Sequence, residues 1–195
     1  MNAYGVVEEF ERRVADFAGA PYAVAVESCT AALFLSCKYL NVGQVTIPAK
    51  TYVSVPQAII HAGGRVAFED LAWQGIYQLK PYPVWDGAKR FRRGMYAGGF
   101  HCLSFHIKKL LPIGRGGMIL LDNEHVVKWM KRARYDGREG KPYPQERVTM
   151  LGWNCYLTPE QAARGLMLLD TFTDGVDDAD QIEDYTDLRL MPIFQ

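Results

Sequence analysis

The feature that most constrains the fold is an alternation of hydrophobic periods along the first third of the chain. Val7, Phe10, Val14 and Phe17 recur at helical spacing with Glu8, Glu11, Arg12 and Asp16 between them, which predicts an amphipathic helix ending near Gly19-Ala20-Pro21. Tyr22 to Val26 is a short apolar run, and Ser28-Cys29-Thr30 then opens a second helix running to about Leu40. Val45 to Pro48 reads as a strand, Val53 to Ala62 as a helix stopped by Gly63-Gly64, and Arg65 to Glu69 as another strand. Parallel strands need a crossover helix between them. The order strand–helix–strand–helix–strand therefore predicts an α/β fold, a mostly parallel central sheet with helices on both faces.

The alternation lapses after Asp70. Pro81 and Pro83 punctuate a short connection before Val84-Trp85-Asp86, and strands follow at His101–Phe105 and Met118–Leu121. A helix is predicted from Glu124 to about Tyr135 and a loop over Asp136–Pro144. Thr158-Pro159-Glu160 starts a further helix: threonine caps, proline takes the first turn, and an acid meets the positive end. The acidic stretch from Asp174 to Asp187 reads as a solvated linker or an exposed helix.

With 195 residues and 49% hydrophobic content the chain can build one sizeable core but not two full domains. Lys+Arg and Asp+Glu both number 22, so there is no electrostatic case for nucleic acid or an anionic membrane as partner. Cys29, Cys37, Cys102 and Cys155 form no C-x-x-C pair and no metal-type spacing, and the expectation is reduced, mostly buried thiols and no metal site. No signal-peptide pattern precedes the first helix and no apolar run is long enough to span a bilayer, which together read as a cytoplasmic protein.

The chemistry concentrates in Ser104-Phe105-His106-Ile107-Lys108-Lys109, followed by Leu110 to Gly117. A strand delivers a serine and two lysines into a loop, and a glycine pair opens the next apolar run. Lysine is a strongly hydrated cation that strand ends rarely keep unless an amine is needed there. The placement suits a lysine holding an aldehyde cofactor as a Schiff base; two solvated loop lysines are the plainer reading of this loop taken alone. Asp86 ends an apolar run, at a strand's C-terminal end where ligands of α/β sheets collect, or else it caps the turn before Gly87. Ser28-Cys29-Thr30 sits at a strand-to-helix junction, where free amides and the helix dipole favour a phosphate, or where Ser28 is a simple cap.

In their order and spacing these stretches resemble the DegT/DnrJ/StrS-type sugar aminotransferases, pyridoxal-phosphate enzymes of the aspartate-aminotransferase fold (fold type I). Their loop reads Ser-Phe-His-x-x-Lys and then Gly-Glu-Gly-Gly. Aligned on both the serine and the glycine pair, the resemblance puts the Schiff-base lysine at Lys109 rather than Lys108. It implies that Lys109 is catalytic, first binding the cofactor and then shuttling the donor's Cα proton. Ser28-Cys29-Thr30-Ala31-Ala32-Leu33 stands where the family has Ser/Asn-Gly-Thr-Ala-Ala-Leu. That implies Ser28, Cys29 and Thr30 at the phosphate, with Ser104 adding a hydroxyl. Asp86-Gly87-Ala88-Lys89 matches an Asp-Ala-Ala-(Gln/His) stretch, which implies Asp86 on the ring nitrogen and Lys89 beside the cofactor; Tyr52 matches an aromatic stacked on the ring. Gly152-Trp153-Asn154 resembles Gly-x-Asn-x-Arg, whose asparagine reaches the other subunit's phosphate, and so implies a two-fold homodimer with shared sites. The implied amine donor is glutamate or glutamine and the implied acceptor a keto sugar nucleotide. Alternatives are a reduced homologue that binds pyridoxal phosphate with little turnover, as a binding or assembly subunit, and other chemistry at the same Schiff base; family dehydratases carry histidine at the lysine position.

The resemblance covers about Gly5 to Leu169, with departures. It implies a shortened cofactor-binding large domain over residues 1–172 and an acidic linker, or remnant of a C-terminal small domain, over residues 173–195. The connection from Glu69 to Asp86 is too short for the crossover helix and strand that relatives carry there. Either the Val45 and Val84 strands come together, or the Ile76–Leu79 segment closes the gap. Tyr156 stands at the family arginine. Arg115 replaces the glutamate before Gly116-Gly117 and, with Lys89 and Lys108, predicts a more positive pocket.

Overall fold

A computed structural model describes residues 4–173, 175, 177–178 and 185–195. Among them are helices α1 (Gly5–Ala18), α2 (Cys29–Tyr39), α3 (Ser54–His61), α4 (Glu124–Ala133) and α5 (Pro159–Asp170). The strands are β1 (Tyr22–Val26), β2 (Gln44–Pro48), β3 (Arg65–Glu69), β4 (Tyr77–Gln78), β5 (Val84–Asp86), β6 (Phe100–Ser104) and β7 (Gly117–Leu121).

Five strands form a sheet in the order β1-β7-β6-β5-β4, and β2 pairs with β3 in a separate two-stranded sheet. A single antiparallel bridge, Thr46 to Lys80, joins the two, so β2 lies beside the β4 segment. The Ile76–Leu79 segment thus closes the gap left by the short connection, and the Val45 and Val84 strands do not meet. β4 and β7 run against the other five strands, which share one direction. The sheet is therefore mixed. Within the five-stranded sheet only β5 and β6 pair in parallel.

Helices cover both faces. Val24, Val26, Cys102, Ile119 and Leu121 face one way, into a core with Leu33 and Leu35 of α2, Ile59 of α3 and Met130 of α4. Ala23, Ala25, Leu103, Met118 and Leu120 alternate to the other side, against Phe10 and Val14 of α1 and Ala162 and Leu169 of α5. Burial on both faces explains why β1 and β7 read as unbroken apolar runs rather than as alternating ones. Glu11, which the helical pattern assigns to the solvated side of α1, is instead buried. Its carboxylate accepts the Ala25 amide at 2.9 Å and pairs with Arg134 and Lys131, tying α1, β1 and α4 together. A buried carboxylate needs such partners.

Most of the acidic 174–187 stretch lies outside the described residues. In its described part Gly175, Asp177 and Thr186 are exposed, as a solvated stretch would be, but Asp178 is docked, and so are Leu188 and Arg189 just beyond it. Asp178 is buried and accepts from Arg90 and Arg92; Leu188 is buried and its amide donates to Ala49 O at 2.9 Å; Arg189 pairs with Asp70.

Candidate active site

The C-terminal ends of β5 and β6, the start of α2 and the loop after β6 converge on Asp86. Its side chain is buried at the end of β5. Oδ1 accepts the Ala88 amide at 3.0 Å and lies 3.8 Å from the Cys29 thiol; Oδ2 accepts the Tyr77 hydroxyl at 2.8 Å. Loss of water pushes the Asp86 carboxyl above the usual carboxylate range, and the Ala88 amide, the Tyr77 hydroxyl, the positive charge of Lys109 and the Cys29 thiol pull in the opposite direction. The same lysine acts on Cys29, whose thiol is pushed well up, chiefly by burial and next by the Asp86 charge. The amine and the acid that the sequence singles out thus lie on the same side of the molecule, within electrostatic reach of each other.

The loop that carries the lysine is anchored at both ends. Phe105 is buried against Phe10 and Phe91, with ring centroids 5.5 and 5.6 Å apart, and Leu111 and Ile113 are buried on the return. The Ile107 amide donates to Gly114 O at 2.9 Å and the Lys109 amide to His106 O at 2.8 Å, closing a tight turn. The turn leaves Lys108 exposed and Lys109 half-buried. The hydroxyl of Ser104, at the end of β6, accepts the His106 amide at 3.4 Å.

The glycine pair has a steric cause. A Cβ on Gly117 would lie within 2.6 Å of Cys29 N and against the Ser28 carbonyl, so β7 begins in backbone contact with the start of α2. There Ser28 caps the helix, its hydroxyl accepting the Ala31 amide at 3.1 Å, and Thr30 Oγ1 lies 2.7 Å from Ser54 Oγ at the start of α3. Two helix N-termini, each with a hydroxyl, therefore meet beside Asp86 and Lys109, an arrangement suited to an anion. Gly117→Ala is expected to lower stability by about 1–3 kcal/mol, because backbone rather than a flexible side chain opposes the added methyl. Urea unfolding checks this; an unchanged midpoint would refute the close approach.

Other candidates fall differently. The Cys29 side chain turns away from the helix start, towards Asp86 and, at 3.5 Å, Cys102 O, so only its backbone faces the anion position. Lys89 is buried with its ammonium 4.6 Å from the Tyr185 ring and 5.7 Å from the Trp73 ring. Arg115 is turned to Glu27, at 2.7 Å, and Lys108 points to solvent, so the expected enrichment in positive charge is reduced by an ion pair and by exposure. Tyr52 is 58% exposed, leaving a free ring face. Asn154 is exposed and donates to Asp136 Oδ2 at 3.2 Å, held where Gly152 packs on the Asp136–Gly137 backbone. Tyr77, Thr51 and Ser54 have no counterpart among the residues that the sequence singles out. Tyr77 and Ser54 touch Asp86 and Thr30, and Thr51 supports Tyr77.

A cavity of about 530 Å³ elsewhere among the described residues shares no residue with this cluster. It is lined by Tyr4, Tyr135, Tyr156 and several cations, of which Arg134, Lys131 and Arg138 are already paired with Glu11 or Glu146. The residues that the sequence singles out gather instead around Asp86.

The chain is 44% identical over 139 residues to the spore coat polysaccharide biosynthesis protein SpsC of Bacillus subtilis, covering 69% of this chain and 36% of that protein. It is 23% identical to GDP-perosamine synthase of Caulobacter vibrioides, covering 84% of this chain and 56% of the relative. Among solved structures, the putative sugar aminotransferase Spr1654 of Streptococcus pneumoniae, in its PLP form, superposes with a TM-score of 0.72 at 20% identity. That likeness covers 86% of this chain and 59% of the other and shows the shared fold. The chain thus spans between about a third and three fifths of the length of these proteins. The family model for the DegT/DnrJ/EryC1/StrS aminotransferases matches residues 1–82 and 88–190, broken only around β5, where the chain departs from the family pattern. With that match over nearly its whole length, the chain belongs to the DegT/DnrJ/EryC1/StrS aminotransferase family.

Proposed function

We propose that the protein is a pyridoxal-phosphate-dependent aminotransferase acting on a keto sugar nucleotide or a similar small keto substrate, with glutamate or glutamine as amine donor. The observation that carries this reading is the pairing of a half-buried lysine, Lys109, with a buried carboxylate, Asp86, beside the joined starts of α2 and α3. The residues fit the cofactor. A buried carboxylate whose partners are neutral donors and one nearby lysine suits a ring N–H, and two helix starts with hydroxyls suit a phosphate. When bound, the cofactor supplies an electron sink for negative charge at the donor's Cα.

In this reading Lys109 Nζ would be the group that holds the cofactor, and the same amine would carry the proton to and from the donor's Cα. Asp86 accepts the ring N–H and keeps that nitrogen protonated. Thr30, Ser104 and the Ser28–Cys29 backbone bind the phosphate, while the exposed ring of Tyr52 stacks on the cofactor, a contact worth about 1 kcal/mol. Asn154 is exposed, and by the Gly-x-Asn resemblance it would serve the partner's phosphate in a two-fold homodimer. Residues 1–172 form the cofactor-binding domain in this reading, and residues 173–195 form a linker or the remnant of a small domain.

The test is the visible spectrum of purified protein with added pyridoxal phosphate, before and after addition of glutamate. A borohydride-sensitive band that glutamate bleaches is the expected result. A band that no amine donor changes favours the reduced, cofactor-binding homologue, and no band at all refutes both.

A further inference from the structure

Asp86 is held on both of its oxygens by donors of this chain. A carboxylate offers about four acceptor positions. On Oδ1 the Ala88 amide at 3.0 Å takes one, and the Cys29 sulfur, 3.8 Å away and with its one proton shared with Cys102 O at 3.5 Å, covers the other side. On Oδ2 the Tyr77 hydroxyl takes one at 2.8 Å. One position is left. Tyr77 has a single hydroxyl proton, and donating it to Asp86 makes Thr51 Oγ1, 2.6 Å away, the donor to Tyr77. Thr51 and Tyr77 are both buried, so the chain Thr51 to Tyr77 to Asp86 runs without competition from water.

We propose that Tyr77 is a positioning residue: with Thr51 behind it, its hydroxyl fixes the Asp86 carboxylate so that a single acceptor position, on Oδ2, is left for the cofactor's ring N–H. The residue rides on β4, the two-residue antiparallel strand that fills the gap between β2 and β5. The segment that repairs the sheet thus also supplies the support of its buried acid. The Tyr77 ring is held independently, 4.7 Å from that of Trp73, so removing the hydroxyl alone leaves the packing in place. The titratable groups facing Asp86 are Tyr77 from β4, Cys29 from α2, Cys102 from β6 and Lys109 from the loop after β6. Among these, Tyr77 donates to the carboxylate directly, and the Cys29 thiol lies 3.8 Å from it and 3.5 Å from Cys102 O.

The inference rests on the proposed cofactor reading for its purpose but not for its test. Tyr77→Phe is compared with the parent in two experiments, with Thr51→Val as a second variant should the first fail to fold. In cofactor-free protein, infrared titration of the Asp86 carboxyl, assigned with Asp86→Asn, tracks its protonation. A donor to the ionised form favours that form, so its loss moves the Asp86 midpoint to higher pH. In the second experiment pyridoxal phosphate is titrated across pH. Tyr77→Phe is expected to bind about tenfold more weakly, with the acid limb of binding displaced upward. Thr51→Val is expected to move both readouts in the same direction and by less. A folded Tyr77→Phe protein with the parent's Asp86 midpoint and affinity overturns the proposal, as does a folded Thr51→Val protein with both unchanged if Tyr77→Phe does not fold. A purely packing role would lower the unfolding temperature and leave the midpoint alone. If the parent binds no pyridoxal phosphate, the cofactor reading fails, while the infrared titration still decides whether Tyr77 holds the carboxylate.

Discussion

Lys109→Ala is expected to abolish covalent attachment of pyridoxal phosphate and to lower transamination by at least about 10²–10⁴-fold, the span attributed to a positioned general base. The loss is expected to exceed that of any other single side chain because the proposed reading gives one nitrogen two roles, to hold the cofactor and to move the donor's Cα proton. The neighbouring lysine provides the control. Lys108 is exposed at the tip of the same turn, whereas Lys109 is half-buried and its charge reaches Asp86 and Cys29. Lys108→Ala is therefore expected to leave the visible band and the turnover close to the parent's. Borohydride reduction and then peptide mapping check the assignment directly: the reduced adduct should fall on Lys109 in the parent and on no lysine of the Lys109→Ala protein. An adduct on Lys108 would reverse the assignment.

The sequence shows its folding rules unevenly. Each helix and strand from Gly5 to Glu69 was legible because burial on one stripe or on both faces writes its own period into the residues. The direction of β7 was not: an apolar run such as Met118 to Leu121 reads the same whichever way the strand points, and its pairing with both β1 and β6 is antiparallel. β4 was legible only as one of two ways to close the gap after Glu69, since two residues are too few to carry a period. Lys109 is singled out only through the family resemblance, which sets the lysine by its spacing from Ser104 and from the glycine pair; the loop taken alone reads as two solvated lysines. Side-chain direction was harder to read. Arg115 is drawn away by Glu27, 88 residues distant, and Cys29 turns inward because the Asp86 carboxylate and Cys102 O lie there. Tyr77, Thr51 and Ser54 belong to no motif; each is marked only by the partner it touches, and that contact exists only after folding.

Asp86→Asn is expected to separate function from stability. Asparagine keeps the shape but has a single acceptor oxygen: with that oxygen on the Ala88 amide its NH2 meets the Tyr77 hydroxyl, which then accepts and turns its own proton to Thr51 Oγ1, and the side chain carries no charge to hold a ring nitrogen protonated. Turnover should fall by about 10²–10³-fold, the usual cost of removing one preorganised electrostatic partner in a water-excluded site. Stability should move the other way. Burial raises the Asp86 pKa in the folded protein, so the folded state binds the proton more readily than the unfolded chain does. The parent is accordingly favoured at pH below the folded pKa of Asp86 and loses that advantage as pH rises through it. The neutral amide carries no such penalty. Asp86→Asn should therefore unfold at a temperature no lower than the parent at neutral pH, with the difference shrinking as acid protonates the parent's carboxyl. Thermal unfolding of both proteins across that range, alongside turnover, decides the matter. A variant that is much less stable at neutral pH would mean that the attraction between Asp86 and Lys109 outweighs the cost of burying the charge, and that the acid is held for the fold as well as for chemistry.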